Sequence, residues 1–509
     1  MLKLAEIFQS GMVIQRDEPI PIWGSATVGA EICIELRGIQ RKTTADEKGA
    51  WTVKLPPFSS SEDEVLKVSD GEEDLILEHV AIGEVWIAGG QSNMEFFMRY
   101  EKHLKEVKED CTNPRIRFYD VPEVAYEAQR EQFDYSTVGI WREASTDNIE
   151  YFSAVGYYFA RALEADQQVP IGIIGCNWGG TVAASWMQPD TVRKAGPAWT
   201  REYEDFVTQV DWNAYWERQK HNPMNSRGNF FSNPFNEFMM PQTHTVQELI
   251  AYFSERGMQH QQMENTELMP SHFPGSLYEH MLKTVAPYGI RGFLWYQGES
   301  DDVAGRQGYY KDMLTGLIAD WRHLWGDRQL PFLVVQLPGF EHWLHEDNDA
   351  YDLIRSGQEQ VTKEVPATWL CSISDIGEQY DIHPKNKKTV GERLALLARG
   401  HVYGQQLLCD APTVRSFYWE DQRLVIAFDH AEGGLVLRGD TIAGLEILTE
   451  GKKADVTAMV EGENCVIAFP TGKPRCLQVL FARDKFFLVN LYNQAGIPAI
   501  PFEITMENG

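Results

Sequence analysis

Over the first eighty residues, apolar and polar positions alternate in short runs with a period of two. Ile20 to Trp23, Glu31 to Leu36 and Trp51 to Leu55 are the clearest of these. Turn-forming stretches separate them: Arg16-Asp17-Glu18-Pro19, Asp46-Glu47-Lys48-Gly49 and Ser59 to Asp63. A period of two places alternate side chains on opposite faces of a strand, so residues 1–82 are predicted to form a small β-sandwich. From 83 to 405 the pattern changes. Apolar strands (Glu84 to Ala88, Arg115 to Tyr119, Pro170 to Ile174, Arg291 to Trp295, Phe332 to Gln336 and Thr368 to Ile373) alternate with stretches whose apolar positions recur every three or four residues. Phe152, Val155, Phe159 and Leu163 mark one helix. Tyr310, Met313, Leu314, Leu317, Ile318, Trp321 and Trp325 mark a second. Val390, Leu394, Leu397 and Ala398 mark a third, with Gly404 as its stop. Strand–helix alternation implies an α/β domain with a mostly parallel sheet covered on both faces. Residues at about 190–270 break the rhythm with polar, aromatic and Asn/Met-rich sequence, and are read as an insertion, either a partly helical lid or a surface excursion. From 406 to 509 the alternation returns, with Arg423 to Phe428, Gly434 to Arg438, Asn464 to Phe469 and Leu477 to Phe481 as the clearest runs, and a second β-sandwich is expected. The 509 residues thus divide into an N-terminal sandwich (1–82), a catalytic-type domain with its insertion (83–405) and a C-terminal sandwich (406–509).

Composition narrows the partners. A formal net charge of −28 disfavours nucleic acid and anionic membrane surfaces, which call for stripes of Lys and Arg. No apolar run approaches the ~18 residues that a spanning helix needs. No charged start, apolar core and cleavage site is visible at the N-terminus, so a cytoplasmic protein is expected, or a secreted one if a leader has been trimmed. Seven widely spaced cysteines without a C-x-x-C pair fit reduced thiols better than a zinc ribbon or a disulfide framework. Glu341-His342-Trp343-Leu344-His345-Glu346 has the wrong order for a metalloprotease helix. Neither metal nor organic cofactor is expected, and the oligomeric state is left open.

Four segments carry candidate chemistry, each at the end of a predicted strand, where open α/β sheets place their ligands. Val85 to Ala88 runs into Gly89-Gly90-Gln91-Ser92-Asn93-Met94, which puts a serine on a tight turn. Gly175-Cys176-Asn177-Trp178-Gly179-Gly180-Thr181 offers bare backbone N–H groups. In Leu294-Trp295-Tyr296-Gln297-Gly298-Glu299-Ser300, Gln297 is an uncharged donor, and Glu299 is either a base or a buried brace. Ser374 to Pro384 contains His383, with Asp381 two and Asp375 eight residues before it, a base that a carboxylate can orient. Each alone is more often an ordinary turn, cap or loop. Their joint occurrence on one sheet is not.

Together these segments resemble the SGNH hydrolases, and specifically the sialate O-acetylesterase family. The resemblance is carried by Gly90-Gln91-Ser92-Asn93-Met94, Asn177-Trp178-Gly179-Gly180-Thr181, Trp295-Tyr296-Gln297-Gly298-Glu299-Ser300 and Asp381-Ile382-His383-Pro384-Lys385-Asn386-Lys387. It extends from Met12-Val13-Ile14-Gln15-Arg16-Asp17 to Asn490-Leu491-Tyr492-Asn493. It implies an SGNH-type three-layer α/β/α domain and a serine esterase acting on an acetylated carbohydrate. Ser92 would be the nucleophile and His383 its base. The N–H groups of Ser92 and Gly180 and the amide of Gln297 would form the oxyanion hole. Two departures stand out. Gln297 occupies a position that is usually Asn, and Tyr380 stands where the third triad member usually lies. Asp381 is therefore the expected acid, Asp375 its rival, and a dyad without an acid is the remaining option. Glu299 is assigned to bracing.

O-acetylated sialic acids are the expected substrates, with acetylated xylooligosaccharides second. A sialate carboxylate calls for a cation, and Arg99, Arg291, Arg306 and Arg355 are candidates, Arg355 being placed before a helix-like run. A catalytically inactive carbohydrate-binding protein is the main reading from a different class. A lipase or peptidase is disfavoured because no G-x-S-x-G surrounds Ser92.

Overall fold

The computed structural model describes residues 1–220, 234–242, 244–255, 268–343, 346–347 and 350–507. Its centre is a sheet of seven strands: β1 (Asp74–Gly90), β2 (Asn113–Asp120), β3 (Trp141–Ala144), β4 (Ile171–Asn177), β5 (Gly292–Tyr296), β6 (Phe332–Val335) and β7 (Thr368–Cys371). They lie in the order β3-β2-β4-β1-β5-β6-β7. All pairs are parallel except β3, which runs antiparallel to β2 at the edge. The inner strands β4, β5 and β6 are buried at every position, which is why they read as unbroken apolar runs.

Five helices matter for the site: α1 (Ser92–Glu95), α2 (Ala154–Gln167), α3 (Tyr310–Trp325), α4 (Tyr351–Glu364) and α5 (Lys387–Leu397), of which α2, α3 and α5 follow the predicted spacings. Trp86 of β1 meets Phe159 of α2, with ring centroids 5.1 Å apart. A side chain at Gly89, three positions along the same strand, would collide with Trp321 of α3. Positions an odd number apart on a strand face opposite ways, so α2 and α3 cover opposite faces of the sheet. Helix α4, expected only as a helix-like run after Arg355, begins four residues earlier and packs on α3 and β7. It contains Arg355, expected ahead of a helix and found buried within one.

The N-terminal region is not a self-contained unit ending at residue 82. Strand β1 is 17 residues long. Its first part pairs with Ser61–Ser69, and its last part runs down the middle of the central sheet. Val13–Gln15 also lies parallel to it across Ala81–Gly83. One apolar core runs without a break from Ile20, Ile34 and Val68 to Trp86, Phe159 and Trp321. The C-terminal region, in contrast, has its own core. Two four-stranded antiparallel sheets contribute Leu424, Ile426 and Phe428 from one and Leu477, Val479 and Phe481 from the other.

Within the insertion, Pro189–Ala195, Pro197–Gln209, Trp212–Lys220, Pro234–Met239 and Val246–Glu255 are helical. The Asn/Met-rich stretch at 221–233 and the segment 256–267 lie outside the described residues, as do Leu344 and His345. The seven cysteines are all unpaired. No helix among the described residues is long and apolar enough to cross a membrane.

Candidate active site

All four predicted segments sit at the carboxyl ends of β1, β4, β5 and β7. Strand β1 crosses Tyr296 of β5 so closely that a Cβ at Gly90 would lie 2.1 Å from the Tyr296 carbonyl oxygen, and Gly90 has φ +133°. Only glycine suits this crossing. The chain then turns directly into α1, so Ser92 opens a helix and its N–H has no carbonyl four residues back to serve.

Ser92 Oγ lies 2.9 Å from His383 Nε2. Both residues are buried, at 8% and 4% exposure, yet they remain within reach of solvent. Burial pushes the His383 imidazole below its ordinary value, while the Asp381 charge partly restores it, so the ring is neutral and able to accept a proton. Asp381 Oδ1 lies 3.6 Å from His383 Nδ1, longer than a hydrogen bond, and accepts the backbone N–H of His383 at 2.8 Å. Its other oxygen meets the Lys385 ammonium at 2.9 Å. Burial works against the Asp381 charge, but His383 and Lys385 outweigh it and hold the carboxyl well below the usual range. Asp381 is thus an ionised neighbour of His383 that fixes its main chain first and its ring second.

Asp375, the rival acid, is gripped by Arg393 through two bonds of 2.7 and 2.8 Å. Arg393 also reaches the carbonyls of Ser372 and Gly496. Asp375 therefore anchors the loop to the C-terminal region, and none of its contacts among the described residues is to His383.

The expected oxyanion donors differ in their availability. Gly180 has φ +76°, and a Cβ there would meet nothing within 4 Å, so its peptide borders open space. The preceding N–H, from Gly179, is committed to Glu95 Oε2 at 2.5 Å, and a Cβ on Gly179 would lie 3.2 Å from Ser92 Cβ. Gln297 departs from expectation. Its amide nitrogen donates to Asp301 Oδ2 at 2.6 Å and to the Thr181 carbonyl at 3.2 Å. Tyr310 donates to its amide oxygen at 3.1 Å. Both amide hydrogens are spent on the loops after β5 and β4, so in this arrangement Gln297 ties the loops together and offers no donor to an oxyanion.

Several residues of the site escaped the sequence reading. Asn93 is completely buried and lies at the centre of a network. Its amide nitrogen donates to Glu299 Oε1 at 2.5 Å and to the Ile382 carbonyl at 2.9 Å, while the ammonium of the buried Lys387 donates to its oxygen. Lys387 also lies 4.7 Å from the ring centre of Phe96 and 5.4 Å from that of Tyr296. Burial, joined by the charge of Lys385, lowers Lys387 to about 7. Burial raises Glu299 to about 7 against the bond from Asn93 and the charge of Lys387. Glu299 is therefore a brace that joins the β1, β5 and β7 loops.

Glu95, one turn after Ser92, fixes the Gly179–Gly180 loop through Gly179. His272 Nε2 holds the same loop through the Gly180 carbonyl at 2.8 Å. The edge of Trp343 meets the His383 ring, with centroids 5.1 Å apart. Trp343 in turn packs on the insertion cluster of Met239, Leu249 and Tyr252, and Lys385 donates to the Met240 carbonyl at 2.7 Å. The insertion is thus linked to His383 through Trp343 and to Asp381 through Lys385. The motif Asp381-Ile382-His383-Pro384-Lys385-Asn386-Lys387 and the Glu three positions after Ser92 were the available signals.

Of the four arginines, Arg291 pairs with Glu84 at the amino end of the sheet, and Arg355 is buried against the Pro338 carbonyl. Arg306 pairs with Glu202 at 2.7 Å and stacks on Trp199, and Arg99 pairs with Glu150 and Glu237.

Comparison with known proteins places this geometry in a lineage. A family model described as carbohydrate esterase, sialic acid-specific acetylesterase, matches residues 82–217 and 235–398. Sialate O-acetylesterase of Rattus norvegicus is 25% identical over 448 residues, covering 80% of this chain and 74% of the relative. The Homo sapiens protein of the same name is 24% identical over 440 residues, covering 80% and 72%. A carbohydrate acetylesterase from Xanthomonas citri of known crystal structure superposes with a TM-score of 0.75 at 26% identity over 99% of each chain. A serine and a neutral histidine in contact, beside an open backbone donor, are the parts that acyl transfer requires, and this chain belongs to the sialic acid-specific acetylesterase family of carbohydrate esterases, which makes it a carboxylic ester hydrolase.

Proposed function

We propose that the enzyme removes O-acetyl groups from sugar hydroxyls through an acyl-serine intermediate, with O-acetylated sialic acids as the substrate class. The observation that carries this reading is the 2.9 Å contact between Ser92 Oγ and His383 Nε2 at the carboxyl ends of the strands. His383 takes the Ser92 proton as Oγ attacks the acetyl carbonyl. The N–H groups of Ser92 and Gly180 receive the negative charge on the carbonyl oxygen, each worth roughly 3 kcal/mol in such a site. The imidazolium then returns its proton to the departing sugar oxygen. Water, deprotonated by the same ring, releases acetate and restores Ser92. Asp381 steadies the imidazolium from 3.6 Å. The strand order and the helices on both faces fit an SGNH-type α/β/α domain, with β-sandwich regions on either side. The names of the relatives favour sialates over plant oligosaccharides, and the partly buried Lys385 beside Asp381 and Arg99 at the insertion are the cations nearest in kind to what a sialate carboxylate needs.

Acetate release from acetylated sialic acids and acetylated xylooligosaccharides, with wild type beside Ser92→Ala, tests this. Wild type is expected to deacetylate the sialates, and the variant to lose on the order of 10⁴-fold or more. Equal release by both proteins removes Ser92 from the mechanism. Release from the xylooligosaccharides alone reassigns the substrate.

A further inference from the structure

We propose that His401, Cys409, Asp410 and His430 form a binding site for a divalent transition cation of the zinc class, at the junction between the α/β region and the C-terminal sheets. The site is independent of the esterase centre. His401 lies in the distorted last turn that follows α5, Cys409 and Asp410 in the connecting segment, and His430 at the end of the strand Arg423–Asp429. His401 Nε2, Cys409 Sγ and a carboxylate oxygen of Asp410 all lie within 4.8 Å of one another. His401 Nε2 is 2.9 Å from both oxygens of Asp410. Asp410 Oδ2 is 3.7 Å from Cys409 Sγ and 3.9 Å from His430 Nδ1.

Tetrahedral zinc, with Zn–N of about 2.0 Å and Zn–S of about 2.3 Å, separates its ligand atoms by roughly 3.3–3.7 Å. His401, Cys409 and Asp410, all within 4.8 Å of one another, need to close by about an ångström at most, and His430, which meets the Asp410 carboxylate at 3.9 Å, must turn its ring toward the other two donors. The chemistry fits as well as the spacing. Two imidazoles suit borderline metals and a thiolate suits soft ones, while thiolate and carboxylate together neutralise a 2+ ion. Coordination forms bonds to Cys409 Sγ, Asp410 and the two ring nitrogens, and the Cys409 thiol proton leaves to solvent. No electron changes hands.

The surroundings hold the donors in place beforehand. Trp369 of β7 stacks on the His401 ring, with centroids 4.7 Å apart and planes at 15°. The buried amide of Asn493 donates to the Asp410 carbonyl at 2.9 Å and to the His430 carbonyl at 3.0 Å, tying the two ligand-bearing loops together. Asn493 is itself fixed by N–H bonds from Ala495 and Ile497, both at 3.1 Å. Backbone support of this kind behind the ligands is what orients a metal site. A bound ion would cross-link two regions that otherwise have separate cores.

The test uses the full-length protein, stripped with a chelator and titrated with cobalt(II) and then zinc. The expected result is one equivalent of cobalt taken up with visible bands of tetrahedral intensity and a near-ultraviolet thiolate charge-transfer band, displaced by zinc, which raises Tm. Cys409→Ser should abolish the charge-transfer band, and His401→Gln should weaken cobalt binding by at least about tenfold. Cys476→Ser should change neither. Failure of the wild-type protein to bind cobalt saturably, weak bands of octahedral type only, or a charge-transfer band that persists in Cys409→Ser would each overturn the proposal. The wild-type spectrum alone decides the matter if a variant does not fold.

Discussion

Glu84 and Glu299 sit at opposite ends of the neighbouring strands β1 and β5, and both are buried. Glu84 receives Arg16 at 2.6 Å, Arg291 at 2.8 Å, Tyr403 at 3.0 Å and Gln15 at 3.2 Å. Burial alone would raise it, yet Arg291 and Arg16 outweigh that and keep the carboxyl below its ordinary value. Glu299 receives an amide from Asn93 and only the remote charge of Lys387, and it is raised to about 7. The amino end of the sheet is an ionic clamp with every partner supplied. The carboxyl end leaves its charges only partly matched, in loops that also carry Ser92 and His383. Clamps stabilise a fold, whereas groups held near neutrality mark the end where protons move.

Four variants would break or sharpen this contrast. Glu84→Gln leaves two arginines without their shared anion. It should lower the unfolding free energy in urea by roughly 3 kcal/mol, with acetate release per folded molecule unchanged. A loss of turnover at unchanged stability would erase the distinction between the two ends. Asp381→Asn should act the other way, lowering kcat by about 10²-fold with little change in stability. The 3.6 Å separation argues for a smaller penalty than the ~10⁴-fold seen where a triad acid grips its histidine. The same variant has a pH signature. His383 must be neutral to act, and burial lowers its pKa, so the acid limb of kcat/KM should fall below the ordinary imidazole value of 6.5. Removing the Asp381 anion should move that limb lower still. A limb that rises would rule out Asp381 as the group that charges the ring's surroundings.

A smaller effect is expected from Glu95→Gln, which weakens the charged acceptor of the Gly179 N–H. It should cost on the order of tenfold in kcat with KM nearly constant, because the displaced loop carries the Gly180 donor. The smallest effect concerns stability against pH. Glu299 in the folded protein holds its proton up to about 7, and the unfolded chain releases it near 4.5. Between those values the native state binds more protons, so this group's contribution falls as pH rises. Thermal melts of Glu299→Gln should therefore decline less from pH 5 to 7 than those of wild type. Glu84 has the opposite sign, its contribution disappearing as the pH drops below 4.5.

Much of this was legible in the sequence because burial leaves a periodic trace. The α3 helix runs over the span its apolar spacing marks, and the six predicted strands all exist within a few residues. The start of helix α4 was placed too late although Tyr351, Ile354 and Val361 hold helical spacing, because Arg355 and Gln358 occupy buried positions that read as polar surface. The edge strand β3 is short and amphipathic, and carries little signal. Ser92 and His383 were found because each follows a strand. Asn93, Glu95 and Lys387 were in plain view, but their importance lies in partners some 84 to 294 positions away, which no local pattern encodes. The same holds for His401, Cys409, Asp410 and His430, whose spacing matches no short metal motif.

The 17 residues of β1 also govern how this protein can be taken apart. A strand that begins in one sheet and ends two residues before Ser92 leaves no seam at which to cut. Trimming the chain at residue 82 would sever β1 within its length and uncover Tyr288 and Trp141, which pack on Phe8 or bond to the Val13 and Ile7 carbonyls. For protein engineering, the first eighty residues are not cargo. They travel with the esterase, whereas the C-terminal sheets, wrapped around a core of their own, are the portion that shuffling between enzymes could exchange.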